Sequence, residues 1–443
     1  MFPAPVLQHA VSQSMNAPHP TTLSGHRWRL ADFVSSGGIS IQAWEIIAVN
    51  PFLKGLTPPI IGHVDPAFRR VREVFEANFH DRGDDGEVGA TCYVMVDGRT
   101  VVDLYGGYAE PEAGRVWERN TISCSWSVGK AALTTLGLML VDRGVLNLDE
   151  PVCTYWPEFG QNGKEGVLVR HFFDHRCGVS YVDAPLQEGD LYDWETMVSA
   201  IEQTSPNFPP GSQEMYLNMT HGYLLGELFR RVNGGRRLAQ YLHEELSGPL
   251  DLDWQFALSD ADIARTAKVY QKTPAGIMQM VTANPDTVFA KSMRGFRLDE
   301  DFNSLAWRKA EIGSGSIHGS ARSLARMWAA LVRGGELDGK RIMRPETAAL
   351  ATREVVRGTD EILGVPIRFS TGYELNCPPA HPMGPNPNSF GFWGAGGVFG
   401  FADPGTLLSF GYAPNYMHPA LELGPRGGPL VEAAIDCESR VGS

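Results

Sequence analysis

Apolar positions along the chain fall into several distinct rhythms. Between Pro66 and Phe79, the residues Phe68, Val71, Phe75 and Phe79 recur at spacings of three and four, the period of one helix face. Val88 to Val96 and Thr100 to Leu104 are β-rich with Asp97-Gly98 between them, a type I′ turn signal that predicts a hairpin. Trp126 to Asp142 is apolar almost all round and is closed by Gly144, which predicts a buried helix. From there to about residue 290, helical patterns and Pro/Gly loops dominate. The clearest helix runs from Met219 to Val232 and stops at Asn233-Gly234-Gly235. Ser320 reads as the N-cap of a helix through Leu324, Met327 and Leu331. Near the C-terminus, Gly397 to Ala402 and Thr406 to Tyr412 flank Asp403-Pro404-Gly405 as a second hairpin, and a last helix spans about Leu430 to Cys437.

Strands therefore lie near both ends and helices in the middle. The expected fold class is α+β: an antiparallel sheet built from both chain ends and flanked by helices, with an inserted all-helical subdomain. Residues 1–25, rich in Pro, Ser, Thr and His, read as a flexible tail. Residues 26–62 carry Trp28, Trp44, Ile46, Ile47, Phe52 and Leu53. That is too apolar for a solvated tail, so the expectation is an extension packed on the body, with covering a pocket edge or a role in a homodimer as the alternatives. The body is 63–443, its α/β part about 63–125 and 290–443 and its helical part about 126–289.

Charge and cysteine usage narrow the function classes. The 443 residues hold 38 Lys+Arg against 51 Asp+Glu, a net charge of −13. That balance argues against nucleic acid as a partner, which would need a basic stripe. The longest apolar run, Ala131 to Val141, is far shorter than the ~20 residues of a spanning helix, so no membrane is expected. Six widely spaced cysteines without a C-x-x-C suit free thiols in a reducing compartment. The first 25 residues hold no Lys or Arg and no apolar core of a signal peptide, and the expected location is cytoplasmic. Without H-E-x-x-H, Cys/His metal spacing, P-loop or G-x-G-x-x-G, neither a metal nor a cofactor is expected.

Ser127-Val128-Gly129-Lys130 is the sharpest chemical feature. A serine hydroxyl is a weak nucleophile that needs an adjacent base. Three apart on a helix, Ser127 and Lys130 share one face, and a lysine in an apolar helix is pushed toward its neutral, basic form. It is also the single lysine of eight with a serine three residues before it. The competing reading is a lysine that snorkels to solvent. Tyr216-Leu217-Asn218 lies between the loop Pro209-Pro210-Gly211-Ser212 and the Met219 helix. There Tyr216 could relay a proton, or Tyr216 could be satisfied by backbone with Asn218 as a helix cap. Phe392-Trp393-Gly394-Ala395-Gly396-Gly397 opens the second hairpin. Its glycines permit close backbone approach by a ligand, or simply a bulge packed under Trp393. His175, His221 and His318 lie near turns and could act as bases, although lone histidines are usually structural. No G-x-S-x-G surrounds any serine.

In combination these signals resemble the serine β-lactamase signature, in its order: S-x-x-K, then Y-x-N some ninety residues on, then a glycine-rich strand. The similarity is strongest to the branch near class C β-lactamases, the family VIII carboxylesterases. It extends to Asp142-Arg143-Gly144, Leu148 to Val152, Asp174 to Gly178, Gly315 to Arg322 and Phe401 to Pro404, and covers roughly residues 62–437. The resemblance implies a serine hydrolase acting on a small-molecule ester through an acyl-enzyme. Ser127 would be the nucleophile, Lys130 the general base and Tyr216 the second proton-transfer residue. The N–H groups of Ser127 and Ala395 would hold the oxyanion, with a slip of one to Gly396 as the alternative. Asn218, Phe392, Trp393, Gly394 and Gly396 would line the substrate pocket. At the third motif, K-T-G or H-x-G in the family, this chain has Phe392-Trp393-Gly394, so the polar group that binds a substrate carboxylate is missing; Arg368 or Arg322 could supply one only in space. Cys177 replaces the serine usual in the H-x-S-G turn, which reads as a packing change. Within the resemblance, a β-lactamase or D-amino-acid peptidase, an acyltransferase on a natural product and a catalytically dead binding scaffold are the alternatives to a carboxylesterase.

Overall fold

A computed structural model describes residues 50–80, 82–271, 281–295, 302–418 and 423–441. All of them belong to the compact unit Ala48–Ser443. The expected tail and most of the expected 26–62 extension, Trp28, Trp44, Ile46 and Ile47 included, lie outside the described residues. Leu53 is fully buried, and Phe52 packs its ring on Tyr270 and Tyr416.

The main sheet contains strands β1 (Ile60–Val64), β2 (Gly89–Val96), β3 (Arg99–Glu110), β4 (Val356–Thr359), β5 (Pro366–Phe369), β6 (Glu374–Leu375), β7 (Phe390–Trp393), β8 (Phe399–Asp403) and β9 (Leu408–Pro414). Their order is β1-β3-β2-β9-β8-β7-β6-β5-β4, all pairs antiparallel. N-terminal and C-terminal strands meet at the β2–β9 seam, where Val94 faces Phe410. This is the antiparallel sheet built from both chain ends that the patterning predicts. It starts at Ile60, just ahead of the boundary expected at residue 63.

Both faces of the central strands are covered. On β2, Cys92 and Val94 enter one core cluster, Tyr93 and Met95 the other. That is why its residues read as a continuous buried run rather than an alternation. Helix α1 (Arg69–His80) packs with the C-terminal helix α6 (Gly424–Val441) on the first face. The opposite face receives α5 (Ala321–Val332), whose N-cap Ser320 accepts from the Ser323 N–H. Beyond α5 stand the elements of the helical region: α2 (Gly129–Asp142), α3 (Trp194–Gln203) and α4 (Thr220–Val232). Helix α2 is buried along almost its whole length. It begins three residues later than the pattern predicts, because Trp126–Val128 forms a separate 3₁₀ turn. The final helix is longer at both ends than its apolar stretch suggests and contains Pro429.

Candidate active site

Ser127 sits in the Trp126–Val128 turn at the mouth of α2, partly exposed between buried neighbours. Trp126 is held at φ 49°, in the left-handed region, a strained conformation for an aromatic residue. Its ring is fixed by Phe302 at 4.7 Å and Trp307 at 5.7 Å. The turn thereby presents the Ser127 hydroxyl outward. The Val128 N–H turns back onto the Ser125 carbonyl at 3.1 Å, while the Ser127 N–H reaches no backbone carbonyl among the described residues.

Lys130 is fully buried one turn on. Its Nζ donates to Ser127 Oγ at 3.1 Å and to the Ser314 carbonyl at 3.4 Å. It does not snorkel. Burial removes the water that would stabilise an ammonium, and it pulls the Lys130 pKa down to about 7, with the nearby Glu374 carboxyl opposing the shift. The neutral, basic form of the lysine is therefore accessible near pH 7.

Tyr216 closes the triangle. Its ring lies under Lys130 Nζ, 4.7 Å from the ring centroid, and its hydroxyl is within hydrogen-bonding reach of Ser127. Burial raises the phenol above its ordinary pKa, so it stays protonated. Three side chains from two distant segments converge here, and neither backbone satisfaction of Tyr216 nor helix capping by Asn218 describes the outcome. Met219 holds the cap position of α4, and Asn218 Nδ2 donates to Ser292 Oγ at 3.1 Å and Met293 Sδ at 3.0 Å.

The third segment approaches from β7. A Cβ on Gly394 would come within 2.8 Å of the Ser125 carbonyl and 2.5 Å of Val398, so only glycine lets this strand end lie against the turn that carries Ser127. Gly396 is tied to His418 by an isolated bridge. The Ala395 N–H reaches no backbone carbonyl among the described residues. Phe392 is fully buried 6.4 Å from the Phe369 ring, in the core cluster that holds Lys130's helix. Trp393 requires a correction. Successive strand residues alternate faces, and its indole lies on the opposite side of the sheet, stacked on His381 and Phe399. Its side chain does not line the pocket.

Further groups take their roles only from the tertiary contacts. His175 stacks on Tyr216 at 5.1 Å, accepts the Leu217 N–H at Nδ1 (3.0 Å), and takes the Met215 N–H on its carbonyl. It is a buttress of the Tyr216 segment, and burial holds it neutral. His221 stacks behind it, and His318 bonds the Ser316 carbonyl well inside the protein, its pKa pushed down to about 3 by burial. Ser314 supplies Lys130's second acceptor, and its hydroxyl takes the Gly222 N–H at 2.8 Å at the start of α4. Glu214, Asp360 and Glu374 are buried around Tyr216 and Lys130. The two arginines that might have anchored a carboxylate are engaged elsewhere: Arg368 with Glu354 and the Asn376 and Pro387 carbonyls, Arg322 with Asp251. Cys177 is buried, and its Sγ accepts the Val179 N–H, a local packing role. All six cysteines are unpaired. No group of His, Cys, Asp and Glu among the described residues could hold a metal, and no described helix is long and apolar enough to cross a membrane.

The fold and this arrangement define a serine hydrolase of the β-lactamase-like class. The beta-lactamase family model matches residues 75–428, and the chain belongs to that family. It is similar to the esterase/beta-lactamase LipL of Mycobacterium tuberculosis, 30% identical over 385 residues, covering 83% of this chain and 86% of LipL. Among solved structures, a family VIII carboxylesterase superposes with a TM-score of 0.77 at 33% identity, over 86% of this chain and 100% of that one. A penicillin-binding protein homologue from Caulobacter crescentus gives 0.78 at 34%, with the same coverage.

Proposed function

We propose that the protein is a carboxylesterase that hydrolyses neutral short-to-medium acyl esters through an acyl-enzyme on Ser127. The observation that carries this reading is the 3.1 Å contact between Ser127 Oγ and a fully buried Lys130 whose pKa is drawn down to about 7. Neutral Lys130 takes the hydroxyl proton as Ser127 Oγ attacks the ester carbonyl. The N–H groups of Ser127 and Ala395 face the developing oxyanion, an electrostatic term worth about 10²–10³ in rate per donor. Tyr216 gives its proton to the departing alkoxide and regains one from the Lys130 ammonium. Water then attacks the acyl group with Tyr216 and Lys130 returning as base, and Ser127 is regenerated. Asn218, Gly394 and Gly396 are the substrate-facing positions of this reading, with Phe392 buried behind them in the core. The enzyme is read as cytoplasmic and cofactor-free.

Esters are favoured over β-lactams or peptides by charge. Phe392 stands where a carboxylate-binding group would be, Arg368 and Arg322 are spent, and the Glu214–Asp360 pair at the buried end of the site adds no cation. Such a pocket disfavours an anionic substrate. LipL's description as both esterase and beta-lactamase supports weak β-lactam turnover as a second activity. Hydrolysis of p-nitrophenyl esters from acetate to octanoate, beside nitrocefin, with S127A as control, tests the reading. Rapid turnover of the esters that S127A abolishes, with slow nitrocefin, is expected. Faster nitrocefin, or an active S127A, overturns it.

A further inference from the structure

The Asp360 carboxylate reaches the Tyr216 segment from the connection between β4 and β5, far away in sequence. Its Oδ2 accepts the Tyr216 N–H at 2.6 Å, and its Oδ1 accepts the Leu363 N–H. Two backbone donors aimed at one carboxylate favour its ionised form. Glu214, two residues before Tyr216, lies within hydrogen-bonding reach of Asp360. Both Glu214 oxygens are buried, and neither has a donor to accept from among the described residues. An ionised Glu214 would thus be a desolvated charge facing a second carboxylate, an expensive arrangement. A proton on Glu214 resolves both problems: it supplies the missing donor and removes the like-charge contact.

We propose that Glu214 and Asp360 share one proton as a carboxyl–carboxylate hydrogen bond, and that this pair is the positioning device for Tyr216. Asp360 fixes the Tyr216 backbone, Glu214 fixes Asp360, and His175 holds the following residue through the Leu217 N–H. The phenol is thereby held over Lys130 and against Ser127. The inference rests on the esterase reading for its kinetic consequence and not for its structural one. The charged and titratable groups facing the pair are Tyr216 on the same segment, Asp174 with its partner Arg176, Glu374 on β6, and Lys130 on α2, which acts on Glu374. Their balance is anionic, and burial together with Asp360 pushes Glu214 up to about 10. The pair thus stays singly protonated across the neutral range and breaks only as pH approaches 10.

Glu214→Gln keeps a donor toward Asp360 without the titration, whereas Glu214→Ala removes it. E214A is expected to lose about tenfold or more in kcat with little change in KM, the cost of a misplaced proton-transfer group. E214Q is expected to stay close to the wild type at pH 7 and to lack the wild type's decline toward pH 10. Hydrogen exchange at the Tyr216 and Leu217 amides, read by mass spectrometry on the full chain, should be faster in E214A and unchanged in E214Q. An E214A protein with wild-type kcat and exchange, or an E214Q as impaired as E214A, overturns the proposal. Because exchange is read without substrate, a wild-type protein that hydrolyses no ester removes the esterase reading and leaves the pair's role still decided.

Discussion

Lys130 Nζ lies 3.1 Å from Ser127 Oγ, and its other acceptor among the described residues is the Ser314 carbonyl at 3.4 Å. A buried amine with one reactive neighbour and one neutral acceptor is a base rather than an ion-pair partner. Since its pKa falls to about 7 and the unprotonated form does the work, kcat/KM for a p-nitrophenyl ester should rise with pH through about 7 and then level. K130A should lower kcat by about 10²–10⁴, the usual worth of a general base. A pH profile flat from 5 to 8 would be incompatible with this assignment.

The same shift has a stability signature. Lys130 titrates near 7 in the folded protein and near 10.5 when unfolded, so between those values the unfolded chain binds more protons. Stability from this group therefore rises with pH, and the cost of burying it is largest below pH 7. Relative to K130M, the wild type should gain up to about 1.4 kcal/mol per pH unit between pH 7 and 9.5. Parallel melting temperatures for the two proteins over that range would refute it.

Gly394 is the position where backbone contact has no slack. A methyl group there collides with the Ser125 carbonyl and Val398, so Gly394→Ala must displace the strand end that carries the Ala395 N–H. Loss of one oxyanion donor predicts a fall of about 10²–10³ in kcat. The Ser127 turn should stay reactive toward a small fluorophosphonate. Unchanged ester turnover in G394A would remove Ala395 from the oxyanion site.

Phe392 is a core residue as well as a missing anchor. Because its ring is fully buried beside Phe369, Phe392→Lys does not restore a carboxylate site. It buries an unpaired ammonium and should cost about 3 kcal/mol or more of stability, read by chemical denaturation. A stable F392K with accelerated nitrocefin hydrolysis would show that the charge argument for esters is misplaced.

How far sequence alone reaches depends on the range of the interaction. Helix α1, the β2–β3 hairpin and the β8–β9 hairpin announce themselves through local period and turn residues, and the structure has them in place. The α2 boundary misses by three residues because the strain at Trp126 is a tertiary effect. Ser127 and Lys130 are legible because an isolated lysine sits one turn from a serine in an apolar helix. Tyr216 becomes legible only through the order of the three motifs. Asp360, Glu214, Ser314 and the buttressing role of His175 leave no mark, since each acts through contacts across 40 or more residues, such as Tyr216 with Asp360. The side of the sheet that holds the Trp393 indole is not legible locally, because register decides which alternate residues share a face, and that register is set by pairing with β8.

The central claim is a covalent acyl intermediate on Ser127, and trapping it is the most direct test. The full-length protein would be mixed with p-nitrophenyl butyrate, quenched in acid within the first turnovers and digested for mass spectrometry. A butyryl group on the peptide containing Ser127, absent from S127A and accumulating in a Tyr216→Phe variant slowed in deacylation, is the predicted result. Turnover of the ester with no acyl group on Ser127, or with the label on another residue, would contradict the account.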